Sequence, residues 1–186
     1  MALNATIHKA LLQIADMDRN VYGEYNLTIA RHPSETDERM MIRILAFALN
    51  VPADDLNGKL ELCKGLSDVD EPEIWERDLT GEILHWIDLG QPDERRLQKA
   101  HGRAGRVSVY GFASSTPVWW SGIENKLTRQ PRLAVWQIPA AQSQALAALA
   151  ERSMQLQINV QDGGIYVTTD KASVEILPIA LKTAQA

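Results

Sequence analysis

The chemistry available to this 186-residue chain gathers around two carboxylates and a run of cations that follows them. Glu73 lies in "PEIWERD" and Asp88 in "GEILHWIDLG", two short apolar stretches separated by a turn signal at Thr80 and Gly81. A hairpin closed at that turn pairs Arg77 with Leu84, Trp75 with Trp86 and Glu73 with Asp88. Side chains alternate between the faces of a sheet, so Glu73, Trp75, Trp86 and Asp88 share one face, with the two carboxylates directly opposite each other. Like charges at a cross-strand spacing of about 5 Å destabilise a sheet, and something must compensate. A hard divalent cation, Mg2+ or Mn2+, taking one oxygen from each carboxylate would turn the repulsion into a binding site. Such ions are commonly held by one or two carboxylates, with water and substrate phosphate completing the shell. The plainer reading of the same residues is a slipped register, or two acids facing solvent at a strand end.

The cations come next along the chain. Between Arg95 and Arg132 there are eight basic residues and a single acid, Glu124, which leaves eleven basic and 23 acidic residues for the rest of the chain. The local surplus falls when the boundary is moved back to include Asp93 and Glu94. Charge runs usually form a solvated surface. Arg95, Arg96 and Arg103 are nonetheless candidate phosphate contacts, because a strip of one sign attracts polyanions even on a molecule whose net charge is −5.

These residues must be positioned by an alternation of strands and helices. "ATIHKALLQIAD" and "GEYNLTIAR" flank a "DRN" turn signal and read as an opening β-hairpin. In "HPSETDERMMIRILAFALN", Ser34 stands where an N-cap belongs, and Glu35, Asp37 and Glu38 suit the first turn of a helix whose apolar face carries Met41, Ile44, Leu45 and Ala48. "KLELCKG" is a third strand and the two acid-bearing stretches are the next pair. "QPDERRLQKAHGRA" then reads as a helix with proline near its start. Strand "RVSVYGF", helix "TPVWWSGIENKL", strand "RLAVWQI", an alanine-rich helix and the strands "SMQLQINV" and "GIYVTT" complete the order, with "ASVEILPIAL" as a final edge segment. Intermingled strands and helices place the chain in the α/β or α+β class, a mixed sheet flanked by helices, and its length suits a single domain over residues 1–186.

Composition narrows the functions. A single cysteine, Cys63, forms no intramolecular disulfide, and the amino-terminal stretch lacks the order of a signal peptide, so a cytosolic protein is expected. No apolar run approaches the roughly 20 residues of a membrane helix. His8, His32, His85 and His101 show no ligand spacing, which argues against zinc. Trp119 and Trp120 read as one core and one rim residue rather than a base-stacking platform.

A helix, a three-stranded meander, a second helix and a strand, with acids on the second and third meander strands, is similar to the core of the PD-(D/E)XK nuclease superfamily. The chain as a whole resembles the YaeQ family of small bacterial proteins, a variant of that core, through "MALNATIHKA", "ARHPSETDERMMIRILAFA", "DEPEIWERD", "WIDLGQPDERRLQKA" and "QDGGIYV". The resemblance implies that Glu73 and Asp88 are the strand acids, that Lys99 of the following helix supplies the lysine, and that Glu38 is an additional acid near the metal. The sequence departs from the superfamily pattern two residues after Asp88, where Gly90 replaces the expected lysine.

The helix offers its own test of Lys99. At about 100° per residue, Asp93, Leu97, Ala100 and Ala104 share an arc that reads as the buried stripe; Arg96 and Arg103 lie nearer its edge than Lys99 does. Resemblance thus favours Lys99, and geometry favours Arg96 or Arg103. Two functions follow as expectations. In one, a metal-dependent nuclease uses Glu73, Asp88 and Lys99 on phosphodiesters. In the other, an interaction module keeps the nuclease core and binds nucleic acid or a protein without cutting, in a role linked to transcription.

Overall fold

The computed structural model describes residues 4–185. The chain opens with two long antiparallel strands, β1 (Thr6–Asp16) and β2 (Val21–Arg31), and Asn20 in the tight turn between them adopts φ 57°. Helix α1 (Asp37–Asn50) follows, then the meander β3 (Gly58–Leu62), β4 (Ile74–Asp78) and β5 (Ile83–Leu89). Next come α2 (Glu94–Arg103), β6 (Ala104–Gly111), α3 (Thr116–Ile123), β7 (Leu133–Gln137) and α4 (Ala140–Ala147). The chain finishes with β8 (Ser153–Gln161), β9 (Gly164–Thr168), β10 (Ser173–Ile176) and β11 (Ile179–Lys182).

These strands form two sheets. The first has the order β10, β9, β8, β1, β2, with β8 returning parallel to β1; the second has the order β11, β7, β6, β5, β4, β3, in which β5, β6 and β7 run parallel. The fold class is therefore α+β, with mixed sheets flanked by four helices. The expected final edge segment divides: β10 extends the first sheet, and β11 crosses to the edge of the second beside β7. A proline at position 178 breaks the run, because it cannot donate to a ladder that continues straight on.

Helix α1 lies between the sheets, which explains why its residues Met40 to Ala48 are buried on every side. One apolar core joins Leu12 and Ile158 of the first sheet, Met41 and Ile44 of α1, and Ile74 and Ile87 of the second sheet. The opposite face of the second sheet packs Trp86, Val107 and Val135 on Leu97 and Ala100 of α2 and on Trp120 of α3. Period-2 alternation along β5 thus sends Trp86 and Asp88 toward α2, and His85, Ile87 and Leu89 toward α1.

Three local expectations are corrected. The N-cap of α1 is Thr36, whose side chain accepts from the Arg39 amide at 3.1 Å; the Ser34 hydroxyl instead meets His32 Nδ1 at 2.6 Å. Glu35 accordingly precedes the helix. Asp93 is no part of a buried stripe: it is the exposed N-cap of α2, accepting from the Arg96 amide at 2.8 Å. In the β4–β5 hairpin, Ile74 pairs with Ile87, Trp75 with Trp86 and Glu76 with His85 as the arithmetic requires, but a register shift then sets Arg77 opposite Ile83, not Leu84. The turn forces it. Asp78 Oδ1 gathers the Thr80 and Glu82 amides at 2.8 and 2.9 Å, Gly81 takes φ 92°, and the extra residue is absorbed next to the turn.

Candidate functional site: an arginine–carboxylate cluster

Asp88 and Glu73 come together at the end of the second sheet, and both are buried, at 2% and 5% exposure. Glu73 sits one residue before β4. Its amide donates to the Ile87 carbonyl at 3.1 Å, and its own carbonyl accepts from the Cys63 amide at 2.9 Å. The expected Glu73–Asp88 pair on one sheet face does not form: the ladder ends at Ile74–Ile87, Glu73 bonds Ile87 just outside β4, and its side chain goes to α1 while Asp88 goes to α2.

Asp88 is held from α2. Arg96 donates from Nε to Asp88 Oδ2 at 2.7 Å and from Nη2 to Oδ1 at 3.0 Å, a bidentate fork. The same guanidinium reaches the Val69 carbonyl at 2.6 Å and the Glu71 carbonyl at 2.8 Å, tying down the loop before β4. The bond to Asp88 raises Arg96 above the usual arginine range, and the nearby charge of Glu73 adds to it. The guanidinium thus stands in the field of both carboxylates. Its position follows from α2: the Asp93 cap sets the helix start, Leu97 and Ala100 bury, and Arg96 falls at the edge of that face.

Glu73 is held from α1, where Arg39 donates to its Oε1. Arg39 and Arg43, one turn apart, also flank the carboxyl of Glu35 at 3.8 and 3.0 Å. Burial pushes Glu35 upward from its ordinary value despite these two arginines, and the charge of Glu73 works in the same direction. Four atoms of this group are buried without an aligned hydrogen-bond partner: Glu35 Oε1, Arg39 Nη1, Arg43 Nε and Glu73 Oε2. Gly65 closes over them with φ 60°; a Cβ there would lie 2.7 Å from Glu73 Oε2, so both the backbone angle and the space call for glycine. The Cys63 thiol alongside is pushed up to about 12 by burial and then by Glu71 and Glu73, which excludes it as a thiolate nucleophile.

The remaining sequence candidates fall elsewhere. Lys99 turns outward, 60% exposed, with Nζ 3.3 Å from Asp70. It is Arg96, and not Lys99, that α2 brings to Asp88. Arg103 stacks its guanidinium carbon 5.2 Å from the centre of the Trp86 ring and donates to the Asp70 carbonyl at 3.2 Å. Arg95 is exposed and forms no ion pair among the described residues. Glu38 is half-buried in the first turn of α1 and is not part of the cluster. Much of the longer basic run is consumed locally: Arg132 caps the end of α2 through the His101, Ala104 and Gly105 carbonyls, and Lys126 meets Glu94 at 3.2 Å. Trp120 is buried while Trp119 is partly exposed and donates to the Pro92 carbonyl at 3.0 Å, the core-and-rim division expected of them.

Sequence reasoning missed Glu35, Arg39 and Arg43. Their signal was present as a spacing of four, Glu35 to Arg39 to Arg43, which sets the two arginines one turn apart on an otherwise apolar helix with the acid just before its start.

A model of the YaeQ protein family matches residues 1–178. The "Uncharacterized protein YaeQ" of Escherichia coli (strain K12) is 42% identical over 177 residues, covering 95% of each chain. Among solved structures, the YaeQ protein from Xanthomonas axonopodis pv. citri superposes with a TM-score of 0.91 at 44% identity, over 97% of this chain and 99% of that one. The YaeQ protein from Pseudomonas syringae gives 0.89 at 35%, over 96% and 97%.

Proposed function

This chain belongs to the YaeQ family, and on that premise we propose that it is a nuclease-like scaffold that binds nucleic acid without cutting it. The observation that carries the reading is the bidentate Arg96–Asp88 fork. A hydrolase of the superfamily type needs the third-strand acid free to hold an ion that polarises phosphate and activates water. Here both oxygens of that acid are occupied by a guanidinium that is itself anchored to two carbonyls. Among the described residues no three His, Cys, Asp or Glu side chains converge as a metal shell. As arranged, the carboxylates fit arginines better than an ion.

The binding surface in this reading is the outer line of α2. Arg95, Lys99 and Arg103 follow one another every four residues, a rise of about 6 Å each, along the solvent side of the helix. A single line of cations suits one phosphate backbone, and three contacts give weak, salt-sensitive affinity. A second reading keeps the nuclease: Glu73 Oε2 is buried without a partner, and Mg2+ or Mn2+ would use both acids if Arg39 released Glu73 and Arg96 released Asp88.

Fluorescence anisotropy with labelled single-stranded and duplex DNA and RNA, at two salt concentrations and with Mg2+ or Mn2+ present, separates the two. The binding reading expects complex formation with intact nucleic acid, and expects Arg95→Ala, Lys99→Ala and Arg103→Ala each to weaken binding and flatten its salt dependence. Metal-dependent cleavage that disappears in Glu73→Ala would establish the second reading. Failure to bind any of the four polymers would overturn the proposal and leave a protein partner as the remaining expectation.

A further inference from the structure

A second concavity lies on the other side of the second sheet from Asp88. It occupies about 450 Å³ between that sheet, the C-terminal end of α1 and the turn ends of the first sheet. Its floor comes from β5, β6 and β7, through His85, Ser108, Tyr110 and Trp136. Leu49 and Ile165 supply apolar wall, and Arg106 stands at the rim with its side chain 59% exposed. The volume is within the range of small-molecule sites.

The hydrogen bonding of this floor leaves one buried acceptor and two hydroxyl hydrogens unmatched among the described residues. His85 Nε2 and Ser108 Oγ are 2.7 Å apart, and His85 Nδ1 is buried without a partner. An orphaned buried N–H is rarer and costlier than an unpaired acceptor. The proton therefore belongs on Nε2, which donates to Ser108 and frees the serine hydroxyl hydrogen to point elsewhere. The imidazole stays neutral at neutral pH, since burial and then Arg106 depress it to about 3. Tyr110 repeats the arrangement: its oxygen accepts from Asn50 Nδ2 at 2.9 Å, and its own hydrogen has no acceptor among the described residues. Arg106 adds a third donor, its nearest carboxylate being Glu76 at 3.5 Å. Two carboxylates also line the cavity and both are taken up, Asp16 by Arg19 at 2.7 Å and Asp18 by the Asp162 and Gly163 amides at 2.8 Å, while Arg132 is committed to the end of α2.

Two hydroxyl donors, the exposed guanidinium of Arg106, paired among the described residues only with Glu76 at 3.5 Å, and an apolar wall define what would fill this space. We infer that the cavity between the two sheets is a binding site for a small carboxylate with an apolar body. A single rim guanidinium that already shares its charge with Glu76 matches a monoanion better than a doubly charged phosphate, and the Trp136 ring suits a flat group. A carboxylate offers acceptors for the Ser108 and Tyr110 hydroxyl hydrogens, and Arg106 at the rim supplies a positive charge.

Isothermal titration of the full chain with benzoate, naphthoate and octanoate, and with neutral naphthamide, tests the assignment. At least one carboxylate is expected to bind one per chain with a dissociation constant below about 1 mM, and naphthamide about tenfold more weakly or not at all. Arg106→Gln and Tyr110→Phe are each expected to weaken the carboxylate about tenfold while circular dichroism shows the fold retained. Ser108→Ala should do the same; if its loss unfolds the chain by stranding the His85 N–H, the other two variants decide. The inference is overturned if no carboxylate binds, if naphthamide binds as tightly as naphthoate, or if both variants bind as the wild type does.

Discussion

Asp88 is buried, and both of its carboxylate oxygens accept from Arg96. Removing one member of such a pair strands the other, so Arg96→Ala is expected to lower unfolding free energy by about 3 to 5 kcal/mol. Asp88→Asn, which keeps one acceptor but loses the charge, is expected to cost about 1 to 3 kcal/mol. From the sequence alone the same substitution looks neutral or stabilising, because it relieves a like-charged pair; Arg96 reverses the sign. The double change Asp88→Leu with Arg96→Met should recover most of the loss, since burying apolar groups of similar volume is often as favourable as burying an ion pair. Urea denaturation of the four proteins checks the series. His85 gives a pH signature in the other core. Its folded value of about 3 lies below the ordinary 6.5, so on acidification the unfolded chain takes up a proton that the folded chain refuses. The stability is complete above about pH 6.5 and falls as pH decreases toward about 3, by at most about 1.4 kcal/mol per pH unit from this group. Glu35, raised by burial, acts in the opposite sense, adding stability at low pH that is lost as pH rises through its folded value. The readout is therefore the difference between wild type and His85→Gln: the variant should show a shallower decline across that window, and equal slopes would contradict the assignment.

At the scale of elements, α2 positions Arg96 because its start is set by Asp93. Loss of an N-cap costs about 1 kcal/mol. Asp93→Ala is expected to show that loss, and Asp93→Ser, which keeps an acceptor for the Arg96 amide, should recover most of it. A cap whose removal changed thermal stability by nothing measurable would mean that packing of Leu97 and Ala100 fixes the helix start unaided. The 3-10 turn at Gly65–Ser67 does for Glu73 what the cap does for Arg96, closing the loop over the carboxylate at a φ that only glycine adopts easily.

For the whole molecule, α1 is the shared element. Its buried residues contribute to the core that joins both sheets, so neither sheet buries its inner face without it. A single cooperative unfolding transition is expected, with far-ultraviolet and near-ultraviolet circular dichroism changing together. Ile44→Ala, at 1% exposure, should cost about 2 to 5 kcal/mol and shift both signals by the same amount. Separate transitions for the two signals would show that the sheets fold as independent units.

Period and turn chemistry are local, and the sequence by itself determined what depends on them. The opening hairpin, the meander, the two flanking helices and the β4–β5 register as far as Glu76 were all legible, because alternation and a turn signal admit few registers. Helical arithmetic likewise pointed to Arg96 at the edge of the buried face. What the chain could not disclose was which partner each charge would find. Arg39 and Asp88 are neutralised by Glu73 and Arg96, 34 and 8 residues away, and that choice exists only once α1 and α2 have packed on the second sheet. Likewise the departure of β11 to the second sheet and the donor-lined cavity above His85 arise from the stacking of two sheets. Such long-range pairing is settled by the burial of whole faces, and no local pattern of residues encodes it.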